Sequence, residues 1–280
     1  MKDIKRRIKS VSSTRQITKA MELVASSKLR KAKQRSESGR PYFEAQYELL
    51  SEIASVKKDF TTPFTEPRQV KNRLFIVIAG DRGLAGGYNS NIIKAVIAEH
   101  AKDANKPKII GIGRKAVDYF DKHGYDVIAK YPYFAEKAKT ADCADVAQVA
   151  SELFLKGEVD EVLLFFTAFV SPLVQDPRFY KLLPISDIGS GTGEDLGLIN
   201  YDPSPEAVFD RVVPKFLMSM IDCAVVESFA SEQGARRTAM ESATDNADEM
   251  ISSLSLLYNR ARQEKITNEI TEIVSGANAL

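Results

Sequence analysis

A chain of 280 residues that is 44% hydrophobic has the material for one or two domains with a substantial core. Its two cysteines, Cys143 and Cys223, and two histidines, His100 and His123, are too few and too scattered for a disulfide framework, a zinc site or a histidine-based catalytic centre, and such cysteine usage fits a reducing compartment. The formal charge is +1, yet residues 1–40 carry 13 Lys/Arg against 3 Asp/Glu while the rest carries 26 against 35, an asymmetry that points to a partner surface at one end.

The opening MKDIKRRIKS has no apolar run behind its charges and does not read as a secretory signal. Residues 2–57 hold one proline, Pro41, and one glycine, Gly39. Apolar residues at Ile4, Ile8, Val11, Ile17, Met21, Val24 and Leu29 recur mostly three or four apart, which predicts a helix with a narrow apolar stripe. The GRP at 39–41 is expected to kink or interrupt it, because proline removes a backbone donor and its ring crowds the preceding turn. The basic run KLRKAKQR, 28–35, suits nucleic acid, a solvated helix face or an acidic protein partner equally; aromatics for base stacking appear only at Tyr42 and Phe43.

Residues 58–204 change character. Glycine and proline punctuate β-rich runs at 73–80, 107–113, 125–131, 161–169 and 179–185, and NIIKAVIAEHAK, RKAVDYFDKHG and CADVAQVASELFLKG between them read as helices. That alternation predicts βαβ units and a mostly parallel sheet. The longest apolar run, VLLFFTAFV at 162–170, suits a buried strand and is far short of the ~20 residues a membrane helix needs. GSGTGEDLG, 189–197, reads as a flexible loop.

Ser204, Pro205 and Glu206 signal a helix start, and after Pro214 no proline follows. Apolar or small residues step through 240, 243, 247, 250, 254, 257 and 261, an a/d heptad, and resume at Ile266, Ile270, Ile273 and Ala277. Residues 215–276 as one helix would run roughly 90 Å. Such a helix needs a partner, and the basic first helix complements residues 205–280, which hold 7 basic and 12 acidic side chains. The expected architecture is therefore an α/β domain inserted between two terminal helices that pair as a long antiparallel coiled coil with left-handed winding, with segments 1–57, 58–204 and 205–280.

Little in the sequence suggests catalysis. GIGRKA, 111–116, matches G-x-G-x-x-A after a strand and before a helix, the dinucleotide pattern, but the next strand ends in Lys130 and Tyr131 where an acidic residue should hold the ribose. A tight turn needing small residues is the simpler reading. GDRGLAGGYN, 80–89, lacks the GK[ST] of a P-loop and reads equally as a structural turn or an interaction loop. Asp245, Asp248 and Glu249 read as solvated charges on a helix.

The ends carry a resemblance. EQGARRTAMESATDN (232–246), NADEMISSLSLLYNRARQ (246–263) and ITNEITEIVSGANA (266–279) look like the C-terminus of the gamma subunit of the F-type ATP synthase. IKRRIKSVSSTRQITKAMELVASSKLRKA (4–32) resembles that family's first helix, and GDRGLAGGYN its central loop, so the likeness spans the full length. Two departures appear: Ala85 stands where the family loop often has cysteine, and no cysteine pair occurs in the 185–205 region, so the redox switch of chloroplast members is not expected.

The resemblance implies a non-catalytic central rotor shaft with a Rossmann-like α/β domain between its terminal helices. The partners it implies are the alpha, beta and epsilon subunits and a membrane rotor ring, with no nucleic acid and no cofactor or metal of its own. The shaft would couple rotation of the ion-translocating ring to conformational change in the catalytic beta subunits. Its location would be peripheral, on the cytoplasmic side of a bacterial plasma membrane. By likeness, contacts to the alpha/beta ring fall to Met21, Arg82, Arg236, Arg262, Gln263, Thr267 and Glu269, with Arg262 and Gln263 as a polar catch. Tyr201 and Asp202 match the foot on the rotor ring. The small residues Ser275, Gly276, Ala277 and Ala279 would let the tip turn in an apolar sleeve. The competing reading is a nucleotide-binding α/β enzyme with helical arms.

Overall fold

The computed structural model describes residues 1–55, 60–102, 105–137, 140–185 and 201–277. In chain order the elements are α1 (Lys2–Ser55), β1 (Arg73–Ile78), α2 (Tyr88–His100), β2 (Lys108–Ile112), α3 (Arg114–Lys122), β3 (Asp126–Tyr131), α4 (Phe134–Lys137), α5 (Asp142–Leu155), β4 (Glu161–Phe169), β5 (Gln175–Leu183) and α6 (Pro205–Ala277). The chain forms two compact units, Ser27–Ala235 and the paired ends Met1–Ser26 with Arg236–Leu280, so α1 and α6 contribute to both. The glycine-rich segment 189–197 and the tip residues Ala279 and Leu280 lie outside the described residues.

Within Ser27–Ala235 the sheet has the order β3-β2-β1-β4-β5. The first four strands are parallel and β5 is antiparallel to β4. Only Val170–Val174 separate β4 from β5, too few residues for a crossover, so the chain returns as a hairpin. The expected fifth strand at 179–185 starts earlier, at Gln175. Pro177 does not stop it because β5 is an edge strand, where a missing backbone donor leaves nothing unpaired.

Side chains on the inner strands alternate between two covered faces. Leu74, Ile76 and Ile78 of β1 join Val162, Leu164 and Phe166 of β4 in a core shared with α5, Leu50 and Ile53 of α1, and Phe209, Val213, Leu217 and Ile221 of α6. Phe75 and Val77, with Leu163 and Phe165, face α2 and α3. Burial on both faces explains why these strands read as continuous apolar runs. Each fully buried Phe, Leu or Ile contributes about 1.5–3 kcal/mol.

In this unit α1 runs antiparallel to α6. Leu29 and Ala32 meet Ala230, Arg35 bonds Asp222 at 2.6 Å, and Phe43 stacks on Phe216. Of the kink or interruption expected at Pro41, the interruption does not occur: α1 runs through it from Lys2 to Ser55. Proline forfeits one backbone bond, and nearby packing of Phe43 on Phe216 holds the helix across that gap. Asp222 also accepts from Thr140 Oγ1 at 3.0 Å and faces Cys143 Sγ at 3.8 Å, so one carboxylate joins α1, α6 and the start of α5. The helix start at Ser204 holds: its Oγ accepts from Ala207 N–H at 3.2 Å.

Gly113, in the turn after β2, has φ +89, and a Cβ there would lie 1.9 Å from the Ala79 carbonyl oxygen. We expect Gly113→Ala to lose more than ~3 kcal/mol of stability, or to fail to fold, in chemical denaturation. Burial pushes the Cys143 thiol up to about 12 and Cys223 up to about 11, with Asp222 adding to both and Arg35 opposing. Native protein should resist alkylation at pH 8 and react at both thiols once unfolded. The unfolded thiols ionise first, at about 8.5, so this contribution to stability is complete below that pH and is lost as pH rises toward the folded values. Melting temperatures from pH 8 to 11 check the sign.

Candidate functional site

In the paired ends, α1 and α6 again run antiparallel, with Arg15 Nε on Asp248 Oδ1 at 2.5 Å and Thr18 Oγ1 on Thr244 Oγ1 at 2.7 Å. The covered line on α1 is Ile4, Ile8, Val11, Arg15, Thr18, Glu22 and Ala25, a strict alternation of four and three. That corrects the sequence stripe at Ile17 and Val24, while Met21 is half-buried and Leu29 buried as expected. Ile17 is 60% and Val24 55% exposed, because the inward positions belong to polar residues bonded to α6 or, for Glu22, to Lys19.

On α6 the heptad holds at Met240, Ala247, Leu254 and Ala261 and shifts by one elsewhere. Ile251 and Tyr258 turn inward while Met250 and Leu257 are half exposed. The register of Arg15 on Asp248 and Thr18 on Thr244 brings Met1 opposite Ala261–Arg262. Residues beyond overhang α1, and every described side chain from Arg262 to Ser275 is exposed. Ile266, Ile270, Ile273 and Val274 are 42–71% exposed there, four large apolar side chains on one stretch that no described residue covers.

The expected ring-contact residues divide by environment. Arg262, Gln263, Thr267 and Glu269 sit on the exposed overhang, where Glu269 pairs with Lys265 at 3.3 Å and the Thr267 carbonyl accepts from Thr271 Oγ1 at 2.8 Å. Met21 is half-buried and Arg236 is buried. In the other unit, Arg82 is exposed, Asp202 is exposed, and Tyr201 is half-buried against the core. Burial, with the Glu52 charge second, raises the Tyr201 phenol above its usual range.

At the sheet's switch point, where β1 and β4 are neighbours, a Rossmann domain leaves a crevice for its cofactor. Here α6 fills it. β4 outruns its pairing with β1, which ends at Val77 with Phe165. Thr167 N–H then donates to Ser228 Oγ at 3.1 Å, Ser231 Oγ donates to the Thr167 carbonyl at 2.9 Å, and Phe169 N–H donates to Glu227 Oε1 at 3.3 Å. Burial raises the Glu227 carboxyl, opposed by that hydrogen bond and by Arg178. One turn on, the Glu232 carboxyl lies 2.9 Å from where a Cβ of Gly80 would be, and Gly234 packs against Phe169 and Pro172.

The glycine loop beyond β1 is held against the same helix: Ala85 and Tyr88 are buried with Ala235. Its tip is outward, with Leu84 63% exposed at φ +62. GIGRKA is a close-packed turn, with Gly111 against Val117 and Gly113 against the Ala79 carbonyl. A groove of about 540 Å³ between α5 and α6 is lined by Phe64, Ala147, Leu155, Pro214 and Met218, with Asp210 held above the carboxylate range by burial. Among the described residues no group of three or more His, Cys, Asp or Glu is arranged to hold a metal ion, and no helix is long and apolar enough to cross a membrane. Ser228, Ser231, Asp81 and Asn89 escaped the sequence reading, since isolated polar residues carry no periodic signal.

A family model described as ATP synthase matches residues 1–280. An ATP synthase gamma chain of Ruminococcus albus is 50% identical over 280 residues, covering 99% of this chain and 97% of that relative. An ATP synthase gamma chain of Acetobacterium woodii, described as sodium ion specific, is 43% identical over 298 residues, covering 100% and 98%. In fold, a chain from the Euglena gracilis mitochondrial ATP synthase OSCP/F1/c-ring structure in rotational state 3 matches with TM-score 0.72 at 19% identity, over 99% of this chain and 93% of that one. A chain from the central stalk/c-ring structure of the Tetrahymena thermophila mitochondrial ATP synthase matches with TM-score 0.63 at 23% identity, over 81% and 99%.

Because no described residue covers them, replacing Ile266, Ile270 and Ile273 together by serine should change the stability of the free chain by less than about 1 kcal/mol in a denaturant titration.

Proposed function

The chain belongs to the ATP synthase gamma-chain family, and from that membership we propose that it is the shaft whose rotation couples ion flow through a membrane ring to nucleotide chemistry elsewhere in the complex. The observation that carries the proposal is the α6 overhang, where Ile266, Ile270, Ile273 and Val274 are solvent-exposed in the free chain. Such a stripe needs an apolar sleeve, and the axis of an alpha/beta ring supplies one. Exposed Ile17, Leu23 and Val24 on α1 extend the same logic, since their own helix pair leaves them uncovered.

The polar contacts follow. Arg262 and Gln263 form the catch to beta; Thr267, Glu269, Met21 and Arg236 tune coupling along the helix pair; Arg82 meets acidic beta surfaces from the glycine loop. Tyr201 and Asp202 form the foot on the rotor ring, and the α/β domain docks epsilon. Segments 1–57, 58–204 and 205–280 serve as first shaft helix, docking domain and second shaft helix. The catalytic groups belong to beta and alpha. The subunit sits peripherally at the cytoplasmic face of the bacterial plasma membrane, held there through its partners. Rotor angle acts by contacting each beta subunit differently, since a shaft with equal contacts to every state would transmit nothing.

The alternative, a nucleotide-binding enzyme with helical arms, is disfavoured because Glu232, Ser228 and Ser231 of α6 occupy the switch-point crevice. Affinity capture from the native membrane is expected to recover alpha and beta subunits with this chain, and calorimetry with NAD and ATP on the free chain to show no tight binding; recovery without them rejects the proposal. Arg262→Ala with Gln263→Ala should lower coupled ATP synthesis in the reconstituted complex while leaving the chain's melting temperature unchanged. Full synthesis would remove the catch assignment.

A further inference from the structure

We propose that Asn89 is the residue that positions Arg82, an inference that rests on the reading of Arg82 as a ring contact. The turn after β1 presents a long cation at the surface, and Lys115 N–H at the start of α3 holds its base by donating to the Gly80 carbonyl at 3.0 Å. Two side chains also pin its backbone. Asn89 accepts from Gly80 N–H through Oδ1 at 2.8 Å and donates through Nδ2 to the Arg82 carbonyl at 3.2 Å. An N–H can only donate and a carbonyl only accept, so these two partners fix the orientation of the amide. Next to it, Asp81 Oδ1 accepts from Arg114 N–H at 2.9 Å and Tyr133 N–H at 2.7 Å, tying the turn to those that follow β2 and β3.

The inner side of the turn has no slack. A Cβ on Gly80 would lie 2.9 Å from the Glu232 carboxyl and 3.1 Å from Asn89 Oδ1. The outer side is open: nothing lies within 4 Å of a Cβ built on Gly83 or Gly86. Asn89 reaches from the packed side to the backbone of the exposed residue. It therefore fixes where the Arg82 side chain leaves the surface without touching its guanidinium.

The discriminating variants are N89A, which loses both bonds, and N89D, which keeps the acceptor for Gly80 but faces the Arg82 carbonyl with a second oxygen. In the assembled complex, gradient-driven ATP synthesis and ATP hydrolysis are measured separately for both, for R82A and for R82A/N89A. N89A and N89D should each lower the synthesis-to-hydrolysis ratio by about two- to tenfold, the range for losing the one bond that both variants lack, that to the Arg82 carbonyl. The double variant should match R82A alone within about twofold, because removing Arg82 leaves Asn89 nothing to position.

A purely structural asparagine predicts a lower melting temperature and losses that multiply in the double variant, and that result overturns the proposal. An unchanged ratio in N89A and N89D beside a lowered ratio in R82A overturns the positioning role alone. An unchanged ratio in R82A removes the ring-contact reading of Arg82 and the proposal with it.

Discussion

A buried strand must find partners for its N–H and C=O groups, and β4 extends past the end of its neighbour β1. The missing ladder is replaced by side chains of α6: Ser228 and Ser231 take both backbone groups of Thr167, and Glu227 takes the N–H of Phe169. These positions lie on one helical face, so the bonds set both the rotation and the height of α6 over the sheet. The rest of this end of the domain follows from that placement. Glu232 comes against Gly80, Gly234 against Phe169, and Ala235 against Ala85 and Tyr88. The crevice where doubly wound sheets bind a cofactor is thus closed by the protein's own helix. A dinucleotide-like glycine pattern survives there for a steric reason, the approach of Gly113 to the Ala79 carbonyl.

The paired ends follow a different rule. Their contact line is mixed: Ile4, Ile8 and Val11 on α1 and Met240, Ile251 and Leu254 on α6 flank a polar stretch with Arg15 on Asp248 and Thr18 on Thr244. An exposed ion pair contributes at most about 1 kcal/mol, so Arg15 and Asp248 are better regarded as setting register than as supplying stability. Polar pairs at helix–helix contacts can specify one alignment where an all-apolar seam would tolerate several. Ile17, Leu23 and Val24 on α1 and Met250 and Leu257 on α6 lie off this line and face outward.

That division explains what the sequence made legible. Strand and helix identity in the α/β domain could be read because both sheet faces are buried by the same chain. β1 to β4 match the expected runs closely, and β5 starts earlier at Gln175. In the helix pair, periodicity revealed that a seam exists but chose the wrong side at Ile17, Val24, Met250 and Leu257. An apolar residue reserved for another molecule looks the same in sequence as one reserved for the core. The long overhang was visible as an apolar repeat at Ile266, Ile270 and Ile273, though its lack of an internal partner required the register. The pins of the glycine loop, Asp81 and Asn89, and the serines that finish β4 act through single hydrogen bonds, and a lone polar residue gives no pattern to detect.

One compact unit is made of the first 26 residues and the last 45. During synthesis the opening helical segment leaves the ribosome long before its partner exists, while Ser27–Ala235 can complete its own core as soon as Ala235 has emerged. Closure of the termini is therefore obliged to be the final folding event. Until it occurs, the nascent chain carries a bare basic segment with the contact line of Ile4, Ile8 and Val11 uncovered, an interval in which chaperones or waiting assembly partners have their chance to bind.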